Sequence, residues 1–265
     1  MKKILLAIVA GVTICSCANN GTKNTMTSGL NMDSIVKDTS VALTEEANSP
    51  KCEIKLSLQF VKGKNADVIN NALLRSGILM PDYLSLSDEK LDIKQAVDSF
   101  TNRYICDYKT DYAPLYKEDK NNSGSYNSIY TVKTSTQSNI ENIISYIASI
   151  YYYSGGAHGT SQTIVKNFNI KNGKLMELKD FFVPGYEVGL KDLIVEKLAE
   201  KFKATDLKGL QKQYIFADGR AYIPENFIPG KDKFTFIYCS DEIAPHAVGE
   251  IRVDIDKSDI KDLLK

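Results

Sequence analysis

No tryptophan occurs among the 265 residues, and histidine appears only twice. Without Trp the indole platform that commonly stacks on sugars is missing, so any aromatic surface must be built from the 15 tyrosines and 10 phenylalanines. Neither charge predominates, with 33 Lys and Arg against 33 Asp and Glu. No basic cluster stands out, which argues against nucleic acid as a partner, because phosphate binding rests on grouped cations. No His-Glu-x-x-His or paired Cys-x-x-Cys announces a metal site, and no Gly-x-Ser-x-Gly announces a strained nucleophile turn. Neither a metal nor a cofactor is therefore expected. The longest apolar run, residues 4–14, falls short of the roughly 20 residues that cross a bilayer as a helix.

That short run is informative in its context. Lys2 and Lys3 precede it, and Ile14-Cys15-Ser16-Cys17 follows, with a small residue just before the second cysteine. This is the charge-then-hydrophobe layout of an export signal, and its end resembles the bacterial lipobox. The expectation is a signal peptide over 1–16, cleavage before Cys17, and acylation of Cys17. Two or more acyl chains, at about 0.8 kcal/mol per buried CH₂, hold a protein on a membrane essentially permanently. The membrane is thus an expected partner through the N-terminal lipid. The expected location is the cell envelope, on an outer membrane facing the periplasm, with surface exposure left open. Residues 17–51, rich in Asn, Thr and Ser, read as the lipidated cysteine and a flexible tether. Of the remaining cysteines, Cys52, Cys106 and Cys239, an oxidising compartment permits one disulfide, but no pairing is specified.

From Cys52 onward the pattern is that of a folded domain. Residues 52–60 alternate apolar and polar as a half-buried strand. Asn65 precedes an amphipathic helix ending near Gly77, and a longer helix after Ser87 places Ile93, Val97, Phe100, Tyr104 and Tyr108 on one face. Pro114 and Asn121-Asn122-Ser123-Gly124 close this portion. Strands are then predicted at 126–135, 140–153, 162–170 and 174–178, with a tight turn at Asn172-Gly173. Leu190, Ile194, Leu198 and Phe202 mark another helix, with a short one at 207–214. Residues 234–238 and 251–255 read as strands, and Ser258 as the cap of a short terminal helix. The fold class is α+β, two packed modules over 52–124 and 125–265, with a largely antiparallel sheet and amphipathic helices.

Four ordered segments carry a family resemblance: Tyr151-Tyr-Tyr-Ser-Gly-Gly-Ala-His-Gly159, Phe168-Asn-Ile-Lys-Asn-Gly-Lys174, Leu178-Lys-Asp-Phe-Phe182 and Asp241-Glu-Ile-Ala-Pro-His-Ala-Val-Gly249. Together they resemble the extracellular domain of unknown function shared by RsiV-type anti-sigma factors and PdaC-type peptidoglycan deacetylases, over about residues 52–265. In the anti-sigma factors this region binds lysozyme. In the deacetylases the resemblance assigns catalysis to a separate domain. His246 departs from the pattern, because that position is usually tyrosine in the family.

The resemblance implies a non-catalytic envelope protein that binds a lysozyme-like protein or a peptidoglycan fragment. Tyr151, Tyr153, Gly155, Gly156 and His158 in one loop, with Glu242 and His246 in another, are the expected contact residues. Tyr152 would point away from Tyr151 and Tyr153, since side chains alternate along a strand. The two glycines supply backbone angles at a strand end, and His158 fixes the loop. The competing reading is a cell-wall polysaccharide hydrolase or deacetylase, with His158 as base oriented by Asp241 or Glu242 and with Ser154 or Thr160 as nucleophile.

Overall fold

A computed structural model describes residues 31–86, 91–217 and 219–265. The expected signal peptide, Cys17 and the first part of the tether lie outside the described residues. The rest of the expected tether contains a long strand. β1 (Asn31–Ala42) pairs antiparallel with β2 (Lys51–Lys62) along its whole length, from Asn31 opposite Lys62 to Ala42 opposite Lys51. Its inward positions mix Asp33, Lys37 and Thr39 with Ile35 and Val41, and Lys37 pairs with Asp98 at 2.8 Å. Inward charge on an edge strand discourages pairing with a further chain. It also erases the hydrophobic alternation that would have revealed the strand.

After β2 come α1 (Ala66–Leu74) and α2 (Ile93–Glu118). Asn65 stands at the start of α1 but does not cap it with its side chain. It sits in the left-handed region at φ 62°, and its Nδ2 donates instead to the carbonyls of Ile170 and Lys171. Asp92 and Gln95 form a reciprocal capping box at the start of α2. α2 continues through Pro114, where the sequence suggested an end, because Tyr112 and Tyr116 pack on Tyr126 at 6.1 and 6.0 Å and secure the last turn. Val97, Phe100 and Tyr108 on its expected face are buried.

β3 (Ser128–Ile140) lies parallel to β2, and β4 (Ile143–Tyr153), β5 (Thr160–Asn169) and β6 (Lys174–Met176) follow as antiparallel neighbours. The strands form one six-stranded sheet in sequence order. It runs across residues 124 and 125, so the first module does not end there. The sheets part only after Met176.

The second module begins with α3 (Leu178–Phe181), α4 (Tyr186–Phe202) and α5 (Leu207–Lys212). A three-stranded antiparallel sheet comes next, made of β7 (Phe227–Pro229), β8 (Lys233–Tyr238) and β9 (Ile251–Asp256). Leu190, Ile194 and Leu198 of α4 bury against Phe234, Phe236, Ile251, Val253 and Ile255. The expected terminal helix is a single 3₁₀ turn at Lys261–Leu263, after which Leu264 bridges to Phe182.

The modules meet along β5. β6 covers this strand only at residues 167–169, leaving the outer backbone groups of Thr163 and Val165 without a neighbouring strand. Side chains of the second module take that place. Val165 N–H donates to Asn226 Oδ1 at 2.8 Å, Thr163 N–H to Cys239 Sγ at 3.4 Å, and Cys239 Sγ donates to the Thr163 carbonyl at 3.2 Å. Buried Asn167 accepts from Ser145 Oγ at 2.7 Å and donates to the Phe227 carbonyl at 2.9 Å. Val165, Ile228 and Ile237 close a small apolar cluster around the join. Cys52, Cys106 and Cys239 are all free thiols, and burial pushes Cys52 up to about 11.

Asn167→Ala leaves the Phe227 carbonyl and the Ser145 hydroxyl buried without partners, so we expect a loss of about 2 kcal/mol in stability. Urea denaturation monitored by far-UV circular dichroism measures it, and an unchanged midpoint would contradict the role given to this side chain.

Candidate active site

β4 and β5 are joined by residues 154–159, and the tip of this hairpin carries His158. Two features set its course. Gly155 has φ 84°, and a Cβ there would lie 2.3 Å from the Ser125 carbonyl oxygen, so only glycine fits. Gly159 lies against the Tyr151 ring, where a Cβ would fall 2.4 Å from the phenol oxygen. Tyr151 thus backs the loop. Tyr153 OH donates to the Gly156 carbonyl at 3.1 Å and ties the turn to the end of β4.

The second module supplies the facing loop, residues 239–250 between β8 and β9. Asp241 occupies the left-handed region at φ 66°, a conformation that Asp tolerates better than most residues but that carries strain of about 1–3 kcal/mol. Glu242 holds the turn: its two carboxylate oxygens accept from Tyr222 OH at 2.7 Å and from Cys239 N–H at 2.6 Å. Burial, reinforced by Glu242, raises the Tyr222 phenol well above its ordinary value. Glu242 is therefore a builder of the loop.

Asp241 is differently placed. Its Oδ2 accepts from His246 Nδ1 at 2.8 Å, and both side chains are nearly half exposed. A carboxylate only accepts, so the bond puts a proton on Nδ1, and in the neutral ring Nε2 carries the lone pair. The His158 ring stacks on the His246 ring with centroids 4.2 Å apart and planes 23° apart. Each module thus contributes one of the two histidines. The alternative reading placed the base at His158, but the carboxylate partner belongs to His246. Within the described residues neither Ser154 nor Thr160 bonds to either imidazole, and no group of His, Cys, Asp and Glu has the arrangement of a metal site.

Asp241 also lines a cavity of about 590 Å³, bounded by Tyr152, Ser161 and Gln162 from the first module and by Tyr222 and Asn226 from the second, with neither histidine in its wall. Pockets of this size accommodate small ligands and sugar units. Strand alternation sends Tyr152 into this space, whereas Tyr151 and Tyr153, expected as contact residues, are engaged by the loop. Tyr152, Tyr222 and Cys239 were not among the expected site residues. The signal for Tyr152 was present in the alternation, while Tyr222 sits in an irregular segment with no pattern to read.

Comparison with known proteins places these elements. The family "Deacetylase PdaC" matches residues 45–161, which include His158, and the family "Protein of unknown function (DUF3298)" matches residues 179–258, which include Asp241 and His246. No curated protein matches the chain. A DUF3298-family protein from Bacteroides fragilis NCTC 9343 superimposes with a TM-score of 0.80 at 26% identity, over 90% of this chain and 95% of its own. A DUF3298-family protein from Pseudomonas aeruginosa PAO1 superimposes with a TM-score of 0.58 at 13% identity, over 89% of this chain and 94% of its own, a likeness of fold. The non-catalytic reading, which placed catalysis in a separate domain, is overturned by the deacetylase-family match within this chain and by the His246–Asp241 pair. The chain carries a PdaC-like domain followed by a DUF3298 domain, and it is structurally close to DUF3298 family members.

Proposed function

We propose that this protein is a cell-wall polysaccharide deacetylase that removes acetyl groups from the amino sugars of peptidoglycan, with His246 as general base. The observation that carries this reading is the 2.8 Å bond from His246 Nδ1 to Asp241 Oδ2, Asp241 itself lining a cavity of about 590 Å³. The match of residues 45–161 to a deacetylase family supports the reaction type.

In this reading His246 Nε2 takes a proton from a water molecule, whose oxygen attacks the acetamide carbonyl carbon. The C–N bond then breaks, the imidazolium returns the proton to the departing nitrogen, and the products are a free amine and acetate. Asp241 fixes the tautomer and orientation of the ring and stabilises the imidazolium while it exists. His158, stacked on the same ring, limits its swing. Water is the nucleophile because neither Ser154 nor Thr160 reaches an imidazole among the described residues.

Location follows the expectation from the N-terminus. The protein is anchored through acylated Cys17 after loss of residues 1–16, in the cell envelope and facing the periplasm from an outer membrane. No described helix is long and apolar enough to cross a membrane. The relation to RsiV- and PdaC-type proteins is consistent with a peptidoglycan- or protein-binding role, and peptidoglycan is the partner proposed.

Acetate release from N-acetylated peptidoglycan, measured enzymatically, tests the reaction. Wild-type protein should release acetate, and His246→Ala should reduce kcat about 10²–10⁴-fold, the usual contribution of a general base. Absence of release by the wild type, or unchanged release by the variant, would sink the assignment. Independently, Cys17→Ser should abolish palmitate incorporation and shift the protein from the membrane to the soluble envelope fraction. Membrane retention in that variant would show that the anchor lies elsewhere.

A further inference from the structure

A second cavity, of about 470 Å³, opens on the first module between α2, the segment around Met80 and the six-stranded sheet. Its walls hold six tyrosines, Tyr83, Tyr104, Tyr108, Tyr112, Tyr130 and Tyr152, and two carboxylates, Asp107 and Asp111, with no Lys, Arg or His among the lining residues. Such a concentration of phenol rings makes the space electronegative. Aromatic faces are negative, and the only ionised groups in the lining are negative as well.

Most of the cage is fixed in advance. Tyr83 OH donates to Asp107 at 2.8 Å, Tyr104 OH bonds with Ser128 Oγ at 3.2 Å, Tyr108 OH donates to the Tyr126 carbonyl at 3.0 Å, and Tyr130 OH accepts from Met80 N–H at 2.8 Å. Burial raises each of these four phenols above its ordinary value, so they remain neutral rings. Tyr104 packs on Tyr130 at 5.3 Å and Tyr108 on Tyr112 at 5.4 Å. The hydroxyls of Tyr112 and Tyr152 have no hydrogen-bond partner among the described residues. The two carboxylates also differ. Asp107 is balanced by Arg103 at 2.9 Å, whereas Asp111, one turn further along α2, has no ion-pair or hydrogen-bond partner among the described residues. One unbalanced carboxylate at the rim of a rigid tyrosine cage is complementary to one positive charge.

We propose that this cavity binds a primary ammonium at the end of an apolar stem, as in the side chain of a lysine or other diamino acid within a peptide. The stem lies against the phenol rings, the ammonium meets their faces and the Asp111 carboxylate, and the free hydroxyls of Tyr112 and Tyr152 accept from it. A neutral sugar finds no charged partner to exploit here, and an anion is repelled by the unbalanced Asp111 carboxylate.

The test is ligand-observed saturation-transfer NMR on the full chain in detergent, with Nα-acetyl-lysine amide as probe and Nα,Nε-diacetyl-lysine amide as its uncharged control. We expect saturable binding of the first and at least tenfold weaker binding of the second. Asp111→Asn, an exposed substitution that preserves shape, should weaken the probe at least fivefold, while His246→Ala should leave it unchanged. Equal binding of the two probes, wild-type affinity in Asp111→Asn, or no saturable binding of the lysine amide would overturn the proposal. So would N-acetylglucosamine trimer displacing the probe from the cavity, which would identify a sugar site.

Discussion

The unfilled edge of β5 is the constraint on which the candidate site depends. A strand that exposes unpaired backbone groups must satisfy them, because a buried N–H or C=O without a partner costs about 1–3 kcal/mol. β6 is too short to do so at Thr163 and Val165. Asn226 and Cys239 of the second module take over the role of a neighbouring strand with side-chain atoms. Because these bonds need Asn226 and Cys239 at fixed places, they also fix the turn after Cys239, which Glu242 closes, and the Asp241 carboxylate within it.

The two histidines are therefore brought together by the join between modules. His158 comes from the hairpin that ends β4 and begins β5, while His246 comes from the loop between β8 and β9. Their 4.2 Å stacking joins the two segments with separate family matches. The cavity that Asp241 lines has walls from both modules for the same reason. The tyrosine cage is built from the first module against α2, and it shares Tyr152 and Gln162 with the cavity that Asp241 lines, so the two cavities adjoin across the end of β4.

Much of this fold is legible in the sequence wherever burial is one-sided and regular. β2, the buried face of α2 and the paired strands near the C-terminus follow from periodicity, and the hairpin at Asn172-Gly173 from its turn residues. β1 escapes because its inward face carries Asp33 and Lys37, and its stability comes from a long-range register with β2 and from Asp98 on α2. β7 is three buried residues long, too short for any period to show. The module boundary escapes too, since the parallel pairing of β2 with β3 spans the polar run at 121–124 that reads as a break. At the site, both histidines and Asp241 can be named from sequence, but their partnership cannot. Which imidazole receives the carboxylate depends on the left-handed turn at Asp241, a tertiary feature with no glycine to mark it.

Catalysis at this site requires that the second module hold His246 with its proton on Nδ1, leaving Nε2 as the base. Nitrogen-15 NMR of the labelled histidines reads this directly, because protonated and unprotonated ring nitrogens have well-separated shifts. We expect the Nδ1–H tautomer of neutral His246 in the wild type and its loss in Asp241→Ala. An Nε2–H tautomer in the wild type, or a spectrum that Asp241→Ala leaves unchanged, would contradict the assignment of His246 as base.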